Sequence, residues 1–191
     1  MANEFYALMG RMRYITRWGL MRNSFVENVQ EHSHQVAVLA HALALIRRDI
    51  LHMDGPDPDR CAVAALYHDA SETLTGDMPT PIKYYNTDIK AAYKKVEQIA
   101  GQRLLTMLPP ELVDSYEAYI MESDEAVDSI VKAADKLSAH IKCLEEQKAG
   151  NMEFDSAARQ TWDAMKELRS PELNWFLEHC LPAFSLNLDQ L

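Results

Sequence analysis

Cysteine, glycine and long apolar runs are all scarce in this sequence. Its three cysteines, Cys61, Cys143 and Cys180, are widely spaced and odd in number, which excludes a disulfide framework and a cysteine-based zinc site. No apolar stretch approaches the roughly 20 residues that cross a bilayer. Glu4 and three arginines interrupt the first 18 residues, so neither a signal peptide nor a membrane anchor is expected there. These absences predict a reducing, cytoplasmic location and no membrane partner.

Positive charge is also in short supply. The 191 residues include 19 Lys and Arg against 29 Asp and Glu, giving a net charge of −10. A non-specific nucleic-acid binder needs a basic surface to displace counterions, and so does a protein that docks on anionic lipid. We therefore expect neither a non-specific nucleic-acid binder nor a protein that docks on anionic membranes. The remaining composition, with 48% apolar and 25% charged residues, is that of an ordinary globular protein with one sizeable core.

Apolar residues recur with a helical period along nearly the whole chain. Over about residues 30–48 they form one stripe, which His32 begins. Asp57 followed by Pro58 predicts a helix start, and that helix is expected to run to about Thr73. Further helices are predicted over about 86–107, 111–121, 124–148, 155–168 and 171–180. No strand period and no internal repeat is present. We therefore predict an all-α fold in a single domain, residues 1–191.

A His-Asp pair, His68 and Asp69, lies in the stretch LYHDASETLTGD at 66–77. A chain of this composition contains about 0.5 such pairs by chance, so the dipeptide alone indicates little. Small residues share the helical face of His68 and let another helix approach closely, and a charge buried there needs a partner or a metal. The residues on that face are Cys61, Ala64, Ala65 and Glu72.

Two histidines from consecutive helices can converge here, because His32 lies on the inward stripe of the preceding helix. Imidazoles combined with carboxylates suit a divalent transition metal, and the absence of thiolates argues against structural zinc. Spacing alone leaves the ordinary alternatives open. These are a hydrogen-bonded core histidine at His32, a solvated acid at Glu72, a flanking carboxylate at Asp135 and surface positions for His34 and His41.

Several segments together resemble the HD-domain phosphohydrolases, and among them the bacterial 5′-deoxynucleotidases. They occur in the order of that family and cover almost the entire chain, which makes the set far more specific than one dipeptide. The matching segments are RWGLMRN at 17–23, ENVQEHSHQVA at 27–37, YHDASETLTGDMPTPIKY at 67–84, KAADKLSAHIKCLEE at 132–146 and FSLNLD at 184–189.

The resemblance implies one divalent metal per subunit, with cobalt or manganese the usual activator. The implied metal ligands are His32, His68, Asp69 and Asp135. The implied catalytic residues are Glu72, the phosphate-orienting Arg17 and Asp69. The implied substrate-binding residues are Arg17, Trp18, Asp69, Asp77, Thr80 and Asp135.

The function implied by the resemblance is that of a 5′-deoxynucleotidase. Such an enzyme hydrolyses deoxyribonucleoside 5′-monophosphates, with little base preference and selection against ribonucleotides, and a homodimer is expected. One alternative keeps the fold and changes the substrate to a nucleoside triphosphate, an alarmone or a cyclic dinucleotide. The lack of a Lys and Arg cluster favours a monophosphate. A second alternative is a non-catalytic helical module whose His-Asp pair is structural.

Overall fold

The computed structural model describes residues 3–83, 85–121 and 124–191, with the backbone alone described at Thr80 and Pro81. This part of the chain is helical and contains no β-strand, only an isolated bridge between Thr16 and Asn28. The all-α prediction is confirmed. The α-helices described are α1 (Phe5–Met9), α2 (Val29–Leu45), α3 (Pro58–Tyr67), α4 (Glu72–Thr75), α5 (Thr80–Lys83), α6 (Thr87–Leu105), α7 (Val113–Ile120), α8 (Glu125–Lys148), α9 (Asp155–Glu167) and α10 (Pro171–His179).

Side-chain caps set the starts of the long helices. Asn28 opens α2 with a capping box, in which its side chain accepts from the Glu31 amide and the Glu31 carboxylate accepts from the Asn28 amide. Asp57 caps α3 ahead of Pro58, as the sequence predicts, and Asp124 caps α8. At the other end of α8, Gly150 adopts a φ of 82°, a conformation that few residues other than glycine reach.

The main core lies between α2, α3, α8 and α10. Cys61, Ala64 and Ala65 of α3 are buried, and their small size allows the close approach of α2 that the sequence predicts. A second apolar cluster includes Phe5 of α1, Leu104 of α6 and Ala70, which follows α3 in the chain. These contacts pack the segment after α3 against α1 and α6. Within the described residues, every helix is too short or too polar to span a membrane.

The helix predicted to run from Pro58 to about Thr73 is interrupted in the structure. It ends at Tyr67, and a turn over 68–71 separates it from α4. In this turn the Ala70 amide donates to the Tyr67 carbonyl and the Glu72 amide to the Asp69 carbonyl, a tighter spacing than in an α-helix. In this turn Asp69 Oδ2 lies 3.2 Å from His68 Nε2, so the side chains of these two consecutive residues meet.

The apolar stripe predicted along α6 is only partly buried. Tyr93, Ala100 and Leu104 face the core, but Val96 is 47% exposed. Ile99, on the neighbouring face, is 65% exposed. The apolar period predicts the helix correctly, but it overestimates how much of the apolar face of the helix is buried.

Candidate metal centre and phosphate site

Three separate elements bring the predicted metal ligands together. His32 lies in the first turns of α2, His68 and Asp69 follow α3, and Asp135 projects from the middle of α8. His32 is fully buried, and its Nε2 lies 3.1 Å from Asp135 Oδ1. Asp69 Oδ2 lies 3.2 Å from Nε2 of His68 and 3.7 Å from Nε2 of His32. The four side chains therefore converge at one point between α2, α3 and α8.

Their spacing suits a single ion. One ligand atom each from His32, His68 and Asp135 lies within 4.8 Å of the other two. Ligands that sit about 2.1 Å from an ion are roughly 3 to 4 Å apart, so small movements suffice for binding. The helical period favoured Asp135 as an ordinary flanking carboxylate. The structure corrects that interpretation, because Asp135 faces His32 across the helix interface.

In each of the two histidines, the hydrogen bond made by Nδ1 determines the protonation of Nε2, the nitrogen that faces the other predicted ligands. His68 Nδ1 lies 2.7 Å from the Ala65 carbonyl, which can only accept, so Nδ1 carries the proton. Ser138 Oγ donates to Gln35 Oε1 and therefore accepts from His32 Nδ1, at 3.2 Å. In both neutral rings Nε2 then presents a lone pair to the cluster. His68 Nε2 is buried and makes no hydrogen bond within the described residues.

The charges of the cluster indicate a cation. Burial lowers the pKa of His32, so Nε2 and the ionised Asp135 are two acceptors only 3.1 Å apart. Such a pair needs a proton or a metal between its members. Burial opposes charge on His68, but Asp69 outweighs it and raises the pKa of His68 to about 9. Without a metal that ring holds a proton, which a bound cation displaces.

Arg17 lies beside this cluster, in the irregular segment before α2. Its Nη1 is 3.5 Å from Asp69 Oδ2, and its side chain is only 13% exposed. Burial lowers the pKa of Arg17, but the carboxylates around it, Asp69 and Asp135 foremost, raise it above its usual value. The guanidinium is therefore a permanent positive charge next to the ligand set.

Trp18 is partly buried and held at two points. Its indole Nε1 donates to Glu27 Oε2 at 3.0 Å, and its ring lies against Phe154 with the ring centroids 5.3 Å apart. The residue has a φ of 57°, which is unusual for a bulky side chain. Trp18 therefore packs against its neighbours, and the two contacts fix the orientation of its ring next to Arg17.

Glu72 begins α4 and is 6% exposed. Its Oε2 is buried and lacks a hydrogen-bond partner within the described residues. Burial, followed by the charges of Asp69 and Asp77, raises the pKa of Glu72 to about 9. The group is therefore a protonated carboxylic acid at neutral pH, a state that suits a general acid. The alternative of a solvated surface acid is wrong.

The loop that follows α4 supplies the remaining predicted residues. Gly76 takes a φ of 73° and turns the chain so that Asp77 is partly buried. Burial raises the pKa of Asp77, against the opposing charge of Arg17, which places this carboxyl within the electrostatic reach of the site. The side chain of Thr80 lies outside the described residues.

Three residues that the sequence did not assign support this site. Glu27 contacts both Arg17 and Trp18, Ser138 contacts His32, and Gln35 contacts Ser138. Ser138 is three residues after Asp135, and Gln35 is three residues after His32. That i, i+3 spacing points to Ser138 and Gln35, since such residues share a helix face with a predicted ligand, but it does not point to Glu27.

An open cavity of about 580 Å³ lies between α9 and α10 and is lined in part by Trp162, Lys166 and Arg169. The described site residues do not line it. The candidate site is therefore marked by its clustered, partly unsatisfied polar groups and not by the size of a cavity.

Comparisons with known proteins agree with this geometry. The family model for YfbR-like 5′-deoxynucleotidases matches residues 4–184. A 5′-deoxynucleotidase of Erwinia tasmaniensis is 49% identical over 191 residues, covering 99% of this chain and 96% of the relative. A 5′-deoxynucleotidase of Vibrio atlanticus is 46% identical over 192 residues, covering 99% and 98%. The resemblance seen in the sequence is confirmed.

Solved structures extend the comparison to the fold. An HD-domain phosphohydrolase from Listeria innocua superposes with a TM-score of 0.82 at 22% identity, over 95% of this chain and 88% of its own. The HD phosphohydrolase of cyanophage S-2L, solved with dA and one catalytic Zn²⁺ ion, gives a TM-score of 0.64 at 21% identity, over 90% and 93%. The chain therefore belongs to the YfbR-like 5′-deoxynucleotidases, and its fold is that of the HD-domain phosphohydrolases.

Proposed function

We propose that this protein hydrolyses deoxyribonucleoside 5′-monophosphates to deoxyribonucleosides and inorganic phosphate. The observation that carries the proposal is the convergence of His32, His68, Asp69 and Asp135 beside a buried arginine and a protonated Glu72. The curated relatives named 5′-deoxynucleotidase support the substrate class. A single domain over residues 1–191 is part of the proposal, supported by the span of the family match.

One divalent cation per subunit would bind the two imidazole Nε2 atoms and the carboxylates of Asp69 and Asp135. When bound, it lowers the pKa of its water and polarises a phosphate oxygen. We propose cobalt or manganese as the activator. The Zn²⁺ ion in the cyanophage structure makes zinc a further candidate for the test below.

The protein's own groups supply the remaining chemistry. Arg17 binds the phosphate through two N–H groups, a geometry that matches two phosphate oxygens. Glu72 holds a proton that it can donate to the leaving 5′-oxygen as the P–O bond breaks, which releases the neutral deoxyribonucleoside. Among the described residues, Arg17 and Lys136 each contact one carboxylate of the cluster. Two positive side chains suit one phosphate better than a chain of phosphates.

The sugar is assigned to Trp18, Asp77 and Thr80. We propose that Trp18 forms a wall beside the ribose C2′ position and that Asp77 accepts from the 3′-hydroxyl. We also propose that Asp69, whose Oδ2 lies 3.5 Å from Arg17 Nη1, and Asp135 would act on the phosphate ester by holding the cation.

We further propose a cytoplasmic homodimer. Large apolar side chains exposed along α6 and the segment before it support a surface for a second copy, because exposed apolar groups are enriched at association sites. Size-exclusion chromatography with light scattering tests the dimer. The exposed residues are Ile82, Tyr85, Val96 and Ile99.

Product analysis tests the function. Chelator-treated protein is resupplied with Co²⁺, Mn²⁺ or Zn²⁺ and incubated with matched deoxy- and ribonucleoside 5′-monophosphates, a deoxynucleoside triphosphate, an alarmone and a cyclic dinucleotide. We expect metal-dependent release of inorganic phosphate from the deoxynucleoside monophosphates, whichever base they carry. Turnover confined to one of the last three substrates would identify a different HD-domain activity. Absence of both bound metal and turnover would identify a non-catalytic module.

A further inference from the structure

Two of the residues proposed to bind phosphate and sugar, Arg17 and Trp18, lie in a segment without regular secondary structure. The segment lies between a 3-10 turn over Met12–Tyr14 and α2, so no helix fixes the direction of either side chain. The backbone here is held to the start of α2 by two hydrogen bonds, from Arg17 N to the Glu27 carbonyl at 3.0 Å and from Val29 N to the Ile15 carbonyl at 2.9 Å. Those bonds place the main chain, but they do not by themselves fix the direction of the long Arg17 side chain.

Glu27 supplies the missing side-chain contact. Its Oε2 lies 3.2 Å from Arg17 Nε and 3.0 Å from Trp18 Nε1, so one carboxylate oxygen accepts from two consecutive residues. Glu27 is 7% exposed. A buried, charge-assisted bond of this kind holds its partners more firmly than one exposed to solvent.

The contact determines which part of the guanidinium remains available. Arginine can bind an oxyanion along its Nε edge or through its two terminal nitrogens. Glu27 accepts a hydrogen bond from Nε. Nη1 lies 3.5 Å from Asp69 Oδ2, on the side of the predicted metal ligands. The terminal nitrogens are therefore the pair that faces a substrate phosphate.

We propose that Glu27 is a positioning residue for the hydrolysis proposed above, on which this inference rests. It holds Arg17 so that Nη1 and Nη2 meet the phosphate, and it fixes the plane of the Trp18 ring through the indole N–H. A single carboxylate thereby couples the phosphate contact to the sugar contact.

Simple charge balance does not account for Glu27. Arg17 also lies within the fields of Asp69, Asp135 and Asp77, so the guanidinium would have anionic neighbours without it. In a variant lacking the Glu27 carboxylate, Asp69 is the nearest of these contacts. Arg17 would then turn toward the metal ligands, and its terminal nitrogens would leave the phosphate.

The rest of the segment is anchored independently of Glu27. The Ser24 amide donates to the Glu146 carboxylate at 2.8 Å, and Lys142 Nζ donates to the Phe25 carbonyl at 2.8 Å. Both anchors belong to α8, the helix that carries Asp135. Loss of the Glu27 carboxylate therefore releases two side chains without releasing the loop.

A double-mutant cycle between Glu27 and Arg17 tests the inference. The values of kcat and KM for deoxyadenosine 5′-monophosphate are measured at saturating metal for wild type, Glu27→Ala, Arg17→Ala and the double variant. We expect Glu27→Ala to lower kcat/KM by about 10²-fold in the wild-type background and by less than about threefold in the Arg17→Ala background. Glu27→Gln, which keeps an acceptor oxygen, should recover part of the loss.

Glu172→Gln is the matched control. Glu172 is also a buried acid paired with an arginine, Arg47, at 3.1 Å, but on α10, away from the site. The Glu172→Gln substitution should lower the melting temperature but change kcat/KM by no more than about twofold. Its effect on kcat/KM should be the same in the wild-type and Arg17→Ala backgrounds.

Additive losses for Glu27→Ala and Arg17→Ala would overturn the positioning role and leave Glu27 as a structural residue. If Glu27→Ala fails to fold, as judged by circular dichroism, the same cycle with Glu27→Gln decides. If wild type releases no phosphate from the nucleotide, the proposed function fails. The Glu27 inference is then decided separately, by running the cycle on the dissociation constant of inorganic phosphate.

Discussion

Ser138 on α8 and His32 on α2 are joined through a hydroxyl group, with Ser138 Oγ 3.2 Å from His32 Nδ1. The same hydroxyl donates to Gln35 Oε1 at 3.0 Å, so its oxygen accepts a hydrogen bond from Nδ1–H of His32, and Nε2 of the neutral ring carries no proton. The choice of tautomer is made by a residue 106 positions away in the chain. This contact connects the packing of α2 on α8 with the affinity of the proposed metal site.

Replacing Ser138 with alanine should weaken metal binding about 10- to 100-fold while the fold is kept, because the His32 ring loses its orienting partner. Chelator competition with Mn²⁺ or Zn²⁺ measures the dissociation constant directly. Ser33→Ala is the control, since Ser33 is buried beside His32 but its Oγ has no hydrogen-bond partner within the described residues. Equal affinities for wild type and Ser138→Ala would show that the ring is oriented by packing alone.

His68→Ala should abolish both bound metal and phosphate release while leaving the far-ultraviolet circular dichroism of a helical protein. The variant removes a buried nitrogen aimed at the other ligands. His34→Ala, on the exposed face of α2, should retain both properties. Full activity of the His68 variant after metal removal would contradict the assignment of the site.

The long helices could be predicted because their apolar period and caps are local features. The helices predicted to begin near residues 86 and 124 do so in the structure, where Asn86 and Asp124 cap them, and the helix predicted to end near 148 ends before Gly150. The break after Tyr67 could not be predicted in this way, because a tight turn there is favoured by contacts with distant elements. Likewise Val96 obeys the helical period but remains exposed, since periodicity does not report which turn of a helix another element covers.

The site was predictable only in part for the same physical reason. The spacing of His68 and Glu72 identified a buried polar face, and the resemblance predicted the distant Asp135 as a further ligand. Glu27 has no distinctive local pattern, and the i, i+3 spacing of Ser138 from Asp135 does not by itself show its contact with His32. Both contacts form only after the chain has folded. Charge and burial at these positions become interpretable once α2 and α8 are in contact.

Glu72→Gln should change how the stability of the metal-free protein depends on pH. The pKa of Glu72 is about 9 when folded, against an ordinary value of 4.5. Between these values the unfolded state loses a proton that the folded state keeps, so the free energy of unfolding falls as pH rises. Below 4.5 and above 9 this contribution is constant.

The glutamine variant lacks this ionisation. Its stability relative to wild type should therefore rise by about 3 kcal/mol between pH 6 and pH 8, from about 1.4 kcal/mol per unit. Urea denaturation at several pH values in the presence of a chelator measures the difference. Parallel stability profiles would mean that Glu72 ionises normally in the folded protein.

Lys142→Met should destabilise the protein by about 3–5 kcal/mol, because it leaves the fully buried Glu146 without its ion-pair partner. Burial opposes ionisation of Glu146, but Lys142, Asn151 and Ser24 lower its pKa to about 2. In wild type this group therefore stabilises the fold above pH 4.5, and the contribution disappears as pH falls toward 2.

Urea denaturation at pH 7 and at acidic pH measures both effects of the Lys142 variant. Lys148→Met, at the exposed end of α8, is the matched control and should cost less than about 1 kcal/mol. A Lys142 variant as stable as wild type at pH 7 would show that the pair does not anchor the segment that carries Arg17.

Trp18 is expected to decide between deoxyribose and ribose. Its only donor, the indole N–H, is committed to Glu27, so the ring offers no polar partner to a 2′-hydroxyl placed against it. Burying that hydroxyl unpaired costs about 1–3 kcal/mol, or about 5- to 150-fold in kcat/KM. Trp18→Ala should therefore narrow the ratio of deoxy- to ribonucleotide hydrolysis.

The measurement is kcat/KM for one deoxy and ribo pair of 5′-monophosphates in both proteins. Trp162→Ala, which removes a partly exposed tryptophan of α9, is the control and should leave the ratio unchanged. Trp18→Ala also loses the contact with Phe154, so a fall in melting temperature alone carries no information about the sugar. If the ratio stays constant while stability falls, Trp18 serves packing, and Asp77 becomes the residue to test for recognition of the sugar.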